Sequence, residues 1–389
     1  MRVNWSFFSL IIVLVACSRD DIPGVIIPEE ILEEGIRLTA TYDYGVLGSP
    51  TEIELMVELV NADLQRVPNP EYSILVNEVD MGPLSTFNPS SAEIFVLNAV
   101  SGDYVSEDLY ITIREPIEYE PVEFQVIFHV AATSWVGSTT GGELLDQIDE
   151  QMAILDRVFG TPSHGTPNSY VPNFSFKLAT HDPTGVPLVD AGINRITLPS
   201  ADHTVNYEEW LWNDYWDPEF YINIWVGPTE GRYSYGSYPR LKCGAQTING
   251  LGGCRSSEPV ELTGIVLNIH SVASGHDMLP HEMGHFFGLR HVFGEDECAV
   301  FNDFCPDTHT YDLSGYEDNP TGRIRNSCEG IEYMSFNIMD YNRQGNRRTE
   351  LTFDQVERMR IAVEHGWSRA TKSLQDGTPR DMKEVRNGG

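Results

Sequence analysis

Five side chains within eleven residues carry the chemistry of this sequence: His281, Glu282, His285, Gly288 and His291. Side chains four apart share a helix face, so the imidazoles of His281 and His285 can reach one metal ion. Glu282 points to a neighbouring part of the helix surface, where it can act on a water at the metal instead of binding the metal. Gly288 lets the helix end, because glycine takes the left-handed conformation other residues avoid. His291 can then approach from a different direction. Three neutral imidazoles leave one position of a tetrahedral zinc open, as in a catalytic site; a structural site would be closed by a fourth protein ligand. Ordinary core or surface histidines would need five specified positions to coincide.

The helix bearing these residues needs a scaffold, and the sequence before it supplies one. Val122 to Val130 is an apolar strand, followed by a helix with Leu144, Ile148, Met152, Leu155 and Phe159 on one face. Asn173–Ala179 and Arg195–Leu198 read as further strands, and Tyr221–Val226 and Gly264–Asn268 as strands of buried type. Strands alternating with helices predict an α/β (α+β) domain with a mixed, twisted sheet over residues 121–367. His129 lies within the first strand and reads as a packed core histidine. A closing amphipathic helix is expected over Leu351–Ala362, and residues 368–389 form a polar tail.

Residues 35–115 read differently. Short period-two runs such as Glu52–Val60 and Asp108–Ile113 are separated by Asn, Pro and Gly turns. They predict a small all-β sandwich of immunoglobulin type, read as a spacer that holds the rest away from a membrane or, alternatively, as a binding module. Glu115–Pro121 is a stiff, acidic linker, and residues 18–34 form a Pro- and acid-rich tether.

Residues 1–17 read as a targeting segment: one arginine, then an apolar run, Phe7–Ala16, too short to span a bilayer. Leu14-Val15-Ala16-Cys17 resembles the lipobox of bacterial lipoproteins, which implies a lipid anchor on Cys17; the small residues fit the cleavage site of a plain secretory signal as well. The acidic Asp20 and Asp21 after it resemble the export tag of Gram-negative surface lipoproteins. The expected location is therefore the outer membrane or cell surface. Five further cysteines are expected to meet an oxidising compartment. Cys243 and Cys254 could close a Gly-rich loop locally, while only two of Cys298, Cys305 and Cys328 can pair.

The chain's 58 acidic against 25 basic residues give a net charge of −33, which repels phosphate backbones and excludes nucleic acid as a natural partner. A monomer acting on proteins or peptides is expected.

The zinc motif, the run Asn337-Ile338-Met339-Asp340-Tyr341 and the acidic loop between them resemble the pappalysin family of metzincin metallopeptidases, nearest in size to its small bacterial members. The resemblance covers roughly Pro121 to Trp367. It implies a zinc endopeptidase in which Met339 forms a hydrophobic floor beneath the histidines and Tyr341 stabilises the oxyanion. It also implies structural calcium at Asp303, Asp307 and Thr308, oxygen ligands of suitable chemistry. The extended substrate is expected to pair with a sheet edge at Tyr233–Tyr238. After Tyr341 the segment Asn342–Arg348 is basic where some relatives that cut beside Arg or Lys carry an acidic residue. A basic pocket wall implies no Arg/Lys preference, and tolerance of acidic or neutral residues. The competing reading is a catalytically silent binding or adhesion lipoprotein on the same fold; the intact Glu282 favours the peptidase.

Overall fold

The computed structural model describes residues 33–131, 141–163, 165–196, 214–227, 234–244, 247–257, 263–273, 277–294, 298, 303–313, 324–341, 348–367 and 369–370. Cys17, the leader and most of the tether, Asn342–Arg347 and the end of the polar tail lie outside the described residues.

A six-stranded sheet forms the larger core. Its strands are β1 (Val122–Ala131), β2 (Phe174–Leu178), β3 (Ile193–Ile196), β4 (Tyr221–Gly227), β5 (Tyr235–Gly236) and β6 (Ile265–Asn268). The order is β2-β1-β4-β6-β5, with β3 taking over from β2 along the second half of β1. All pairs are parallel except β5 with β6, so a two-residue antiparallel strand ends the sheet. Every residue of β4 and β6 is buried, as a parallel sheet covered on both faces requires. β3 starts at Ile193, ahead of the Arg195 expected, because its register with β1 begins at Phe128.

Helix α1 (Gly141–Gly160) buries Ile148, Met152, Leu155 and Phe159 against this sheet. Two short helices follow β6: α2 (Ile269–Ala273) and α3 (Met278–Phe286). The carboxyl end of α3 is fixed by aromatic packing, with Phe287 at 5.1–5.2 Å from Phe124 and Phe174 and 6.1 Å from Phe159. Helix α4 (Phe353–His365) begins two residues later than expected. Leu351–Thr352 instead pairs with Ser169–Tyr170, and Thr352 caps the helix. The Thr352 hydroxyl accepts from the Gln355 N–H while Gln355 accepts from the Thr352 N–H, a complete capping box.

The amino-terminal part has its own core. Gly35–Ala40, Ile53–Val60 and Thr86–Phe87 make one antiparallel sheet. Tyr44–Val46, Leu109–Arg114, Ile94–Ser101, Ser73–Val76, Val79–Asp80 and Tyr104–Val105 make a second. Inward residues at every second position, among them Leu38, Leu55, Phe95, Leu97 and Ile111, fill the space they share.

Candidate metal centre and active site

Helix α3 presents His281 and His285 one turn apart, and the chain leaves it at Phe287. Gly288 has φ +98°, a left-handed conformation that reverses the chain. A side chain there would also press on Pro239 and Leu251. After this turn His291 returns, its Nε2 3.2 Å from that of His281 and 3.1 Å from that of His285. Three ring nitrogens so close, with no carboxylate between them, converge on one point.

The opposite ring nitrogens settle the tautomers. His281 Nδ1 lies 2.6 Å from the Ile338 carbonyl and His285 Nδ1 2.8 Å from that of Leu289. A carbonyl can only accept, so each Nδ1 carries the proton and each Nε2 keeps its lone pair. Burial pushes the pKa of His281 far below its usual value, lowers that of His285, and takes His291 to about 3. All three are therefore neutral, as metal ligands must be. The donor set fits a zinc ion with an open coordination position. Among the described residues this trio is a group whose donor atoms all lie within 4.8 Å of one another.

Glu282 is 4% exposed and faces β5, where its carboxylate accepts from the Gly236 N–H. Burial is the main cause that raises its pKa from 4.5 to about 8. Helix and strand touch here. A Cβ on Gly236 would sit 2.2 Å from the Glu282 carbonyl oxygen, so only glycine fits. Two residues on, the Tyr238 hydroxyl lies 3.2 Å from His285 Nδ1.

Met339 is fully buried under α3, against Gly284, where a Cβ would meet its Sδ at 2.4 Å. The backbone of this turn does more than fill space. Ile338 supplies the carbonyl for His281, and the Met339 carbonyl accepts from Val292 N–H. Tyr341 is 44% exposed, its ring 4.7 Å from that of His291 and 4.5 Å from that of Phe293.

Sequence reasoning missed Arg348. It is 4% exposed, its guanidinium turned to buried partners. Its Nε and Nη2 donate to the two carboxylate oxygens of Asp277, at 2.8 and 2.6 Å, and its Nη1 donates to the Asp340 carbonyl at 2.6 Å. That corrects the expectation of a basic pocket wall for the one residue of that segment described here. Asp277 stands at the head of α3 but makes no side-chain cap, because Arg348 occupies its carboxylate.

The loop of Asp303, Asp307 and Thr308 closes on itself and on α4. Asp303 accepts from the Thr308 hydroxyl and the Cys305 N–H. Asp307 turns away to the Thr352 hydroxyl and the Asp354 N–H, so the two carboxylates face different partners. Disulfides join Cys243 to Cys254 and Cys298 to Cys328, with Cα separations of 4.8 and 5.4 Å, and leave Cys305 as a buried thiol. His129 lies within β1 among side chains, its ring nitrogens 2.9 Å from Asn223 and 3.0 Å from Asn194.

Residues 206–364 match the model of peptidase family M43, described as Pregnancy-associated plasma protein-A. An extracellular metalloprotease of Arthroderma gypseum is 26% identical over 252 residues, which is 62% of this chain and 72% of that protein. Mature mirolysin of Tannerella forsythia, solved with a cleaved peptide, is 23% identical with a TM-score of 0.48, over 65% of this chain and 96% of its own. Promirolysin of the same organism is 20% identical with a TM-score of 0.47, over 66% and 85%.

Proposed function

We propose that the protein is a zinc-dependent endopeptidase of the pappalysin family of metzincins, acting on extracellular proteins, a reading supported by the match of residues 206–364 to peptidase family M43. The observation that carries this reading is the meeting of three neutral imidazole nitrogens, two of them on the helix that also carries the buried Glu282. His281, His285 and His291 would hold the ion. When bound there, zinc supplies a Lewis acid that polarises a peptide carbonyl and acidifies water.

The chain's own residues supply the rest. Glu282 takes a proton from the attacking water on its carboxylate and passes it to the leaving amine nitrogen. Tyr341, half exposed beside His291, donates its phenol to the developing oxyanion. An extended peptide lies along β5, the last strand of the sheet, where backbone pairing holds it without regard to its sequence. Met339 and Gly284 keep α3 seated while this happens. Two disulfides support a location in an oxidising compartment.

A silent binding protein would keep the histidines for folding but has no use for Glu282. The test is hydrolysis of casein by the full chain, with and without a chelator, beside Glu282→Gln. The variant is expected to retain zinc and to lose activity by roughly 100-fold or more. Equal activity in the two proteins ends the peptidase reading.

A further inference from the structure

A second concavity, of about 420 Å³, opens beside the metal centre. One wall is Gly236 to Arg240, which carries β5 onward past Glu282; the facing wall is Gly250 to Gly252, within the loop closed by Cys243–Cys254. Thr263 and Arg290 complete it. The pocket adjoins the histidines on two sides. Arg290 directly precedes His291, and Tyr238 of the first wall reaches His285.

Its charge runs against the rest of the molecule. Among the described residues the lining holds two arginines and no carboxylate, in a chain of net charge −33. A positive concavity with protein walls concentrates the field it presents to a charged ligand. Both guanidinium groups have defined places. Arg290 donates from Nη1 to the Gly250 carbonyl at 3.4 Å and sits over the Phe304 ring. Arg240 Nη1 would be 3.0 Å from a Cβ at Gly252, so the missing side chain there gives the guanidinium room.

We propose that this pocket is a specificity subsite that takes an aspartate or glutamate side chain of the peptide substrate, recognised by Arg240 and Arg290. The inference rests on the peptidase reading above and names a substrate preference for the same site. Guanidinium groups match a carboxylate in planar geometry and stay charged at any working pH. A lysine or arginine entering the pocket meets two like charges and is disfavoured. β5 ends at Gly236, the first residue of the pocket wall, so a peptide paired with β5 has this pocket at the end of the pairing.

The test begins with the cleavage sites that the zinc-loaded full chain makes in a denatured proteome. Matched fluorogenic peptides are then built with Glu, Gln or Lys at the enriched position. Wild type is expected to cleave the Glu peptide about tenfold better in kcat/KM than the Gln peptide, the scale of a charge-assisted hydrogen bond. Arg240→Gln and Arg290→Gln lower this ratio towards one, Arg240→Lys keeps the charge without the planar fork and so retains only part of it, and Arg240→Glu shifts preference to the Lys peptide. The ratio is taken within each protein, so a general loss of activity does not imitate the effect. No acidic enrichment at any position, or a ratio that survives both glutamine variants, overturns the subsite while leaving the peptidase intact. Absence of cleavage by wild type, or cleavage that persists in Glu282→Gln, removes the peptidase reading and the subsite with it.

Discussion

Arg348 does at the scale of one residue what the zinc motif cannot do for itself. The motif sets which side chains reach the metal, but not where α3 sits relative to the turn of Ile338, Met339 and Asp340. Arg348 ties the two together, holding Asp277 at the head of the helix and the Asp340 carbonyl in the turn. Its Nη1 lies 3.1 Å from His281 Nδ1, beside the proton that ring nitrogen gives to Ile338. Arg348→Met leaves the Asp277 carboxylate buried without its partner, which costs about 3–5 kcal/mol. The expected result in urea unfolding is a loss of that size, partly recovered in Arg348→Met/Asp277→Asn, with weaker zinc retention against a competing chelator. A loss below about 1 kcal/mol, or additive single effects, would show that the pair does not hold the turn. The histidines were legible from the sequence because ligand chemistry imposes its own spacing. Arg348 was not, because its partner lies 71 residues away and the basic segment that it ends reads as a pocket wall. Gly236 was hidden for a similar reason: its need for glycine comes from the Glu282 backbone, which the local sequence does not contain.

At the scale of elements, β1 is the strand on which the larger core is assembled, pairing with β2, β3 and β4. Towards its carboxyl end lies His129, wholly buried and bonded to side chains of β3 and β4. Burial lowers its pKa from 6.5 to about 4. Between those values the unfolded chain binds a proton that the folded chain refuses. Stability is therefore full above the unfolded value and falls as the pH drops towards the folded one. The accumulated loss is about 3 kcal/mol. His129→Gln removes this titration, so its melting temperature is expected to fall less steeply than that of wild type between about pH 7 and 4. Parallel slopes would mean that the ring is charged in the fold. Period and hydropathy exposed β1, β4 and β6, whose apolar runs are long enough to recognise. They could not fix the start of α4, which depends on Thr352 pairing with Ser169 and being free to cap. The edge strand β5 is only two residues long. Two residues are too few to carry a strand pattern, so the sequence offers Tyr233–Tyr238 only as a candidate edge.

At the scale of the whole molecule, the amino-terminal sheets are fastened to the larger core through a charged contact. Arg114 pairs with Asp354 at 2.5 Å and lies over the rings of Tyr44 and Phe353. Asp354 in turn donates its N–H to Asp307, so the contact bears on the first turn of α4. His309 adds a hydrogen bond of 2.7 Å to the Thr41 carbonyl, and the Val46 N–H one of 3.0 Å to Pro167. Arg114 also lies 4.0 Å from Glu357, so one arginine of the amino-terminal sheets meets two carboxylates of α4 in a chain of net charge −33. The pair is partly exposed, with side-chain exposures of 25% and 10%, so its removal is discounted from the buried case to roughly 2 kcal/mol. Arg114→Met is therefore expected to open the contact more often and to speed proteolytic cutting within Glu115–Pro121 by about thirtyfold. Asp354→Asn should show a similar sensitivity, and the double variant no more than either single change. The same cutting rate in wild type and Arg114→Met would show that the hydrogen bonds at Thr41 and Val46 hold the two parts together without the ion pair.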